Sequence, residues 1–99
     1  MASSKPGNGG GANDQRRLLT FPCRYDLKVI GRQSNRFEAL IQGIVTRHVE
    51  AHELLAVTRR LSGQESYLAL TFIINAQSYQ QLDTLYRALS ACEEVLFSI

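Results

Sequence analysis

Apolar positions change their period along this chain, and each change marks a new element. Between Arg24 and Ile30, Tyr25, Leu27 and Val29 alternate with Asp26 and Lys28, which predicts a strand with one buried and one polar face. The period then lengthens over Asn35 to Arg47, where Phe37, Leu40, Ile41, Ile44 and Val45 form the apolar stripe of a helix. Asn35 stands at its start, with Glu38 at the third helical position. Leu54 to Leu61 and Tyr67 to Ile74 read as further strands, the second with Leu68, Leu70, Phe72 and Ile74 on one face. Ser78, followed three residues later by Gln81, caps a second helix over Tyr79 to Ser90, where Leu82, Leu85, Tyr86 and Leu89 recur at helical spacing. Glu94 to Ser98 is short and extended.

The resulting order predicts an α+β fold, a ferredoxin-like βαββαβ sandwich. Two right-handed crossovers interleave their strands into a four-stranded antiparallel sheet of order 4-1-3-2, with two helices on one face. Ser62 to Ser66 is then a hairpin loop, with Gly63 available for a positive φ.

Composition trims this picture at one end. Residues 1–17, MASSKPGNGGGANDQRR, are too polar and Gly-rich to join a core and read as a disordered tail, leaving residues 18–99 as a single domain. The apolar fraction of 44% suffices for one modest core in a domain of that size. No apolar run approaches the roughly 20 residues of a membrane span, and the N-terminus lacks a secretory apolar region, so a cytoplasmic location is expected.

Charge divides along the same boundary. Lys5, Arg16 and Arg17 against Asp14 leave the tail at +2, so the remaining 82 residues sum to zero. The tail is either a solvated leader or an electrostatic tether. A nucleic-acid partner is not expected from a neutral domain, because phosphate neutralisation supplies most of such affinity. The central open-face positions of the first and third strands point the same way, being Asp26, Lys28, Ala69 and Thr71 rather than aromatics. Tyr67, Tyr79 and Tyr86 offer stacking platforms elsewhere, but Tyr86 lies on the apolar stripe of the second helix.

Candidate chemistry is sparse. Cys23 and Cys92 fall at opposite ends of the first strand, about 20 Å apart at 3.3 Å per residue, which predicts free thiols. His48 and His52, with Glu50 and Glu53, have one metal-like spacing but straddle a helix end and lack a matching third ligand. No metal or cofactor is expected. Gly31, Arg32, Ser34 and Arg36 join the first strand to the first helix. They read either as an ordinary turn or as a contact for a carboxylate ligand. Leu54 to Val57 are apolar at consecutive positions of an edge strand, which asks for cover by loops or for pairing with another chain through Leu55 and Val57. Arg59 and Arg60 either limit unwanted pairing there or are simply solvated.

Phe21-Pro22, Tyr25, Lys28-Val29-Ile30-Gly31, Arg47-His48, Gly63, Tyr67, Ile74-Asn75-Ala76 and Leu85-Tyr86 together resemble the YbeD-like family of small uncharacterised bacterial proteins, over about Phe21 to Ile99. The segment of the second strand is longer here. The resemblance implies a ferredoxin-like domain similar to the ACT-type regulatory domains of amino-acid enzymes, without catalytic residues. It also implies proximity to lipoate attachment, since family members often occur beside genes of that pathway. ACT domains that bind amino acids carry an acidic or amide residue and a Pro-Gly in the first strand-to-helix turn, where this chain has Gly31-Arg32-Gln33-Ser34. The leading expectation is a non-enzymatic regulatory or interaction module that pairs with itself, as a homodimer, or with a metabolic enzyme through its sheet edge or open face. The alternative is an ACT-type sensor of a small carboxylate.

Overall fold

The computed structural model describes residues 18–99, so the expected tail over residues 1–17 lies outside the described residues. The elements are β1 (Cys23–Arg32), α1 (Phe37–His48), a single 3-10 turn (Ala51–Glu53), β2 (Leu54–Ser62), β3 (Tyr67–Ala76), α2 (Tyr79–Ser90) and β4 (Val95–Ser98). The sheet order is β2-β3-β1-β4, and every neighbouring pair is antiparallel. This is the 4-1-3-2 order of the ferredoxin-like sandwich.

Alternation along β3 decides which face is inside. Leu68, Leu70, Phe72, Ile74 and Ala76 are fully buried, as are Leu27 and Val29 of β1, which lie opposite Phe72 and Leu70. Against this face α1 sets Phe37, Ile41, Ile44 and Val45, and α2 sets Leu82, Leu85 and Leu89, in one continuous core. Tyr86, half-buried on α2, reaches the Tyr25 hydroxyl on β1 at 3.1 Å. Among the described residues, both helices lie on this face of the sheet and neither covers the opposite one.

Helix starts differ from expectation in an instructive way. Ser78 caps α2 as its sequence implies, its Oγ accepting the Gln81 amide at 3.1 Å, while the Gln81 side chain accepts the Gln77 amide at 2.8 Å. The α1 expectation is corrected. Its first helical residue is Phe37, and Ser34 Oγ, not Asn35, accepts the Phe37 amide at 3.2 Å. Glu38 points instead to β2, where its Oε1 accepts from Arg59 Nε at 3.1 Å. The cause is β1, which pairs with β3 through Arg32 opposite Tyr67 and so holds Gly31 and Arg32 in the sheet.

The β2-β3 hairpin turns on three successive left-handed residues, Gly63, Gln64 and Glu65, at φ 58°, 58° and 69°. A Cβ on Gly63 would stand 2.7 Å from the Tyr67 ring, so glycine is required there on two counts. The loop is tied to the start of the β1-α1 connection by a hydrogen bond from Gln33 N to Ser66 O at 2.9 Å.

Candidate functional site

Two places were expected to carry function, and the structure gives each a definite geometry. The first is the β1-α1 connection. Gly31 belongs to β1 rather than to a loop. A Cβ there would intrude on the Phe37 ring and stand 2.6 Å from the Glu94 carbonyl oxygen, so this glycine exists for close packing. Ser34 is occupied as the helix cap. Arg36 faces Glu94, Nη2 to Oε2 at 3.6 Å, in an exposed ion pair. Arg32 lies over the Tyr67 ring at 5.6 Å from its centroid.

Two of the four residues do meet in one groove. Arg32 and Ser34 line an open depression of about 370 Å³ together with Glu93, Glu94 and Leu96. A carboxylate entering it would meet one guanidinium and one hydroxyl, but also two carboxylates. Its field is therefore mixed.

The second place is the outer edge of β2. This strand has β3 on one side and, among the described residues, no strand on the other. Register with β3 sorts its side chains. Val57, Arg59 and Leu61 lie opposite Phe72, Leu70 and Leu68 on the helix side, while Ala56, Thr58, Arg60 and Ser62 share the open face with Ile73, Thr71, Ala69 and Tyr67. The ladder shifts between Leu54 and Ala56, so Leu55 is the extra residue of a bulge. That bulge explains why consecutive positions are apolar. Leu55 is 56% exposed and Val57 36%, although both neighbour the core edge. Arg59 is drawn to Glu38, whereas Arg60 is exposed on the open face.

The remaining candidates resolve simply. His48 ends α1 and His52 lies in the 3-10 turn, and among the described residues no three His, Cys, Asp or Glu side chains gather as metal ligands would. Cys23 begins β1, while Cys92 precedes β4, which pairs with the far end of β1; both are free thiols. No helix among the described residues is long and apolar enough to cross a membrane.

One residue, considered in the sequence only as a possible metal ligand, has a different role that sequence reasoning missed. Glu53 is only 7% exposed, and its Oε1 accepts from the Glu50 amide and from Gln81 Nε2, each at 3.0 Å. Gln81 Nε2 also donates to the His48 carbonyl at 3.0 Å. The start of α2 is thereby fastened to the end of α1 and to the entry of β2. The Glu50-x-x-Glu53 spacing of a capping box was the available signal.

Comparison with known proteins places this architecture in a family. A family model described as "Protein of unknown function (DUF493)" matches residues 16–99. A UPF0250 protein of Chromobacterium violaceum is 36% identical over 80 residues, covering 80% of this chain and 89% of the relative. A UPF0250 protein of Neisseria gonorrhoeae is 33% identical over 78 residues, 79% of this chain and 86% of its own length. One from Bordetella parapertussis is 36% identical over 72 residues, covering 73% and 79%. With its fold, its matched span and these relatives taken together, the chain belongs to the DUF493 family of uncharacterised bacterial UPF0250 proteins, the YbeD-like proteins.

Proposed function

We propose that this protein is a non-enzymatic regulatory or interaction module that docks through the outer edge of β2. The observation that carries this reading is the edge itself. Nine residues of strand, Leu54–Ser62, present one side with no neighbouring strand among the described residues, and they contain no proline. Strand addition there would satisfy main-chain groups for affinity, and Leu55 and Val57 would supply apolar contact for specificity. The occupant is a second copy or a metabolic enzyme, with the enzymes of lipoate attachment and of amino-acid metabolism the first to try.

The test follows hydrogen exchange of the β2 amides over a concentration series, and again with purified lipoate-attaching enzymes. Protection confined to β2, and lost in Leu55→Asp/Val57→Asp, is the expected result. A monomer at millimolar concentration whose β2 amides exchange identically with and without every enzyme sinks the proposal.

A second reading draws on the shared groove of Arg32 and Ser34, which would make the protein a small-carboxylate sensor. Glu93 and Glu94 oppose such a ligand from the same walls. The edge reading is therefore preferred.

A further inference from the structure

The domain is neutral in sum but not in distribution. Residues 18–99 hold eight cationic and eight anionic side chains. On the open sheet face the register places Arg24, Lys28 and Arg32 of β1 and Arg60 of β2, against Asp26 alone. That face carries +3, so the rest of the domain carries −3. Asp26 is moreover occupied, accepting from Arg24 Nε at 3.2 Å at the other end of the face. Along the strip formed by Lys28, Arg60 and Arg32, Asp26 flanks Lys28 two residues back on the same face of β1, and Glu93 and Glu94 mark the limit beyond Arg32.

Aromatic and small residues fill the same strip. Arg60, Ala69, Ile30 and Phe97 form one row across all four strands, and Phe97 is 51% exposed. The next row holds Ser62, Tyr67 and Arg32, with the guanidinium over the Tyr67 ring. Thr58, Thr71 and Lys28 complete the strip on the other side. Strand spacing puts Phe97 and Tyr67 roughly 12 Å apart at their α-carbons, with Ile30 and Arg32 of β1 between them. Two or three unstacked bases cover such a span.

We propose that the open sheet face binds single-stranded nucleic acid, with Lys28, Arg60 and Arg32, the last held over the Tyr67 ring, on the phosphates and with Phe97 beneath a base. Cations alone would suit any polyanion. An exposed ring set among them on a flat sheet suits unpaired bases, each of which has a face to stack, and does not suit a duplex whose bases are hidden. The expectation against nucleic acid rested on the summed charge and on four central positions. Both miss Tyr67 and Phe97, which lie at the margin of the face, and the segregation of charge, which only the register discloses. The proposal is independent of docking at the β2 edge.

The test is fluorescence anisotropy of the full chain with labelled eight-nucleotide oligo-U and oligo-dT from 50 to 200 mM salt. Binding should weaken with a log-log slope of about −2, as expected for three phosphate contacts on a single strand. Phe97→Ala should weaken it about tenfold or more, the loss of one stacked base. Arg60→Ala should flatten the slope. Phe97 is exposed, so the variant keeps its fold, which an amide spectrum checks. Binding that survives both substitutions arises outside this face and overturns the proposal. So does equal affinity for a duplex of the same length, equal competition by polyglutamate, or no binding at 50 mM salt.

Discussion

The ring of Phe37 lies where a side chain on Gly31 would have to go, so the last turn of β1 and the first turn of α1 are packed backbone against ring. Phe37 is fully buried, and Gly31 is the position that lets it be so. A glycine that looks like part of a ligand turn is thus a packing residue.

Gly31→Ala should therefore destabilise the domain by about 1–3 kcal/mol, the usual cost of overpacking a filled site. Urea unfolding measures it. A variant of wild-type stability would show that the Phe37 ring gives way easily.

Glu53→Ala should cost about 1 kcal/mol, because it removes the acceptor shared by the Glu50 amide and the Gln81 side-chain amide in a partly buried place. Glu53→Gln keeps one acceptor oxygen and should cost less. Equal losses in the two variants would mean that packing volume, and not the hydrogen bonds, is what Glu53 contributes.

Leu55→Asp should change the stability of the isolated chain by no more than about 0.5 kcal/mol, since that side chain is largely outside the core, whereas Val57→Asp, on the helix side opposite Phe72 and only 36% exposed, should cost about 1 kcal/mol or more. The effect of Leu55→Asp should appear only in association. Thermal melts at low protein concentration separate the two, and a large loss there for Leu55→Asp would make that residue structural.

Arg36→Ala breaks an exposed ion pair with Glu94 and should alter stability by less than about 1 kcal/mol. On the carboxylate-sensor reading, Glu93→Gln/Glu94→Gln should raise affinity for small carboxylates, and Arg32→Ala/Arg36→Ala should remove it. Titration of amide shifts with pooled amino acids and lipoate-related acids decides the matter. No shift in the Gln/Gln variant ends that reading.

The fold was legible because its signals are local and redundant. Leu68 to Ile74 alternate without exception, and Ser78 with Gln81 announces α2 at the residue where it begins. Boundaries failed where tertiary contact competes with local chemistry. Asn35 is as good a cap as Ser34 on paper, but the pairing of Arg32 with Tyr67 sets where β1 releases the chain. The β2 edge was legible as an anomaly, two leucines in succession, though not as a bulge, which is a property of two strands together. Charge polarity was hidden for the same reason. A sequence orders Arg24, Lys28, Arg32 and Arg60 along a line, while their common face depends on which strand lies beside which.

The bulge at Leu55 also fixes where this chain tolerates a change of length. Because Leu54 and Ala56 pair with the adjacent residues Ile74 and Ile73, loss of one codon at position 55 would leave every later side chain of β2 on its present side. The same loss at Val57 or Thr58 would turn the remainder of the strand over, putting Leu61 on the open face and Arg60 on the helix side where Arg59 now stands. Single-residue deletions in β2 should therefore survive at one address and fail at its neighbours.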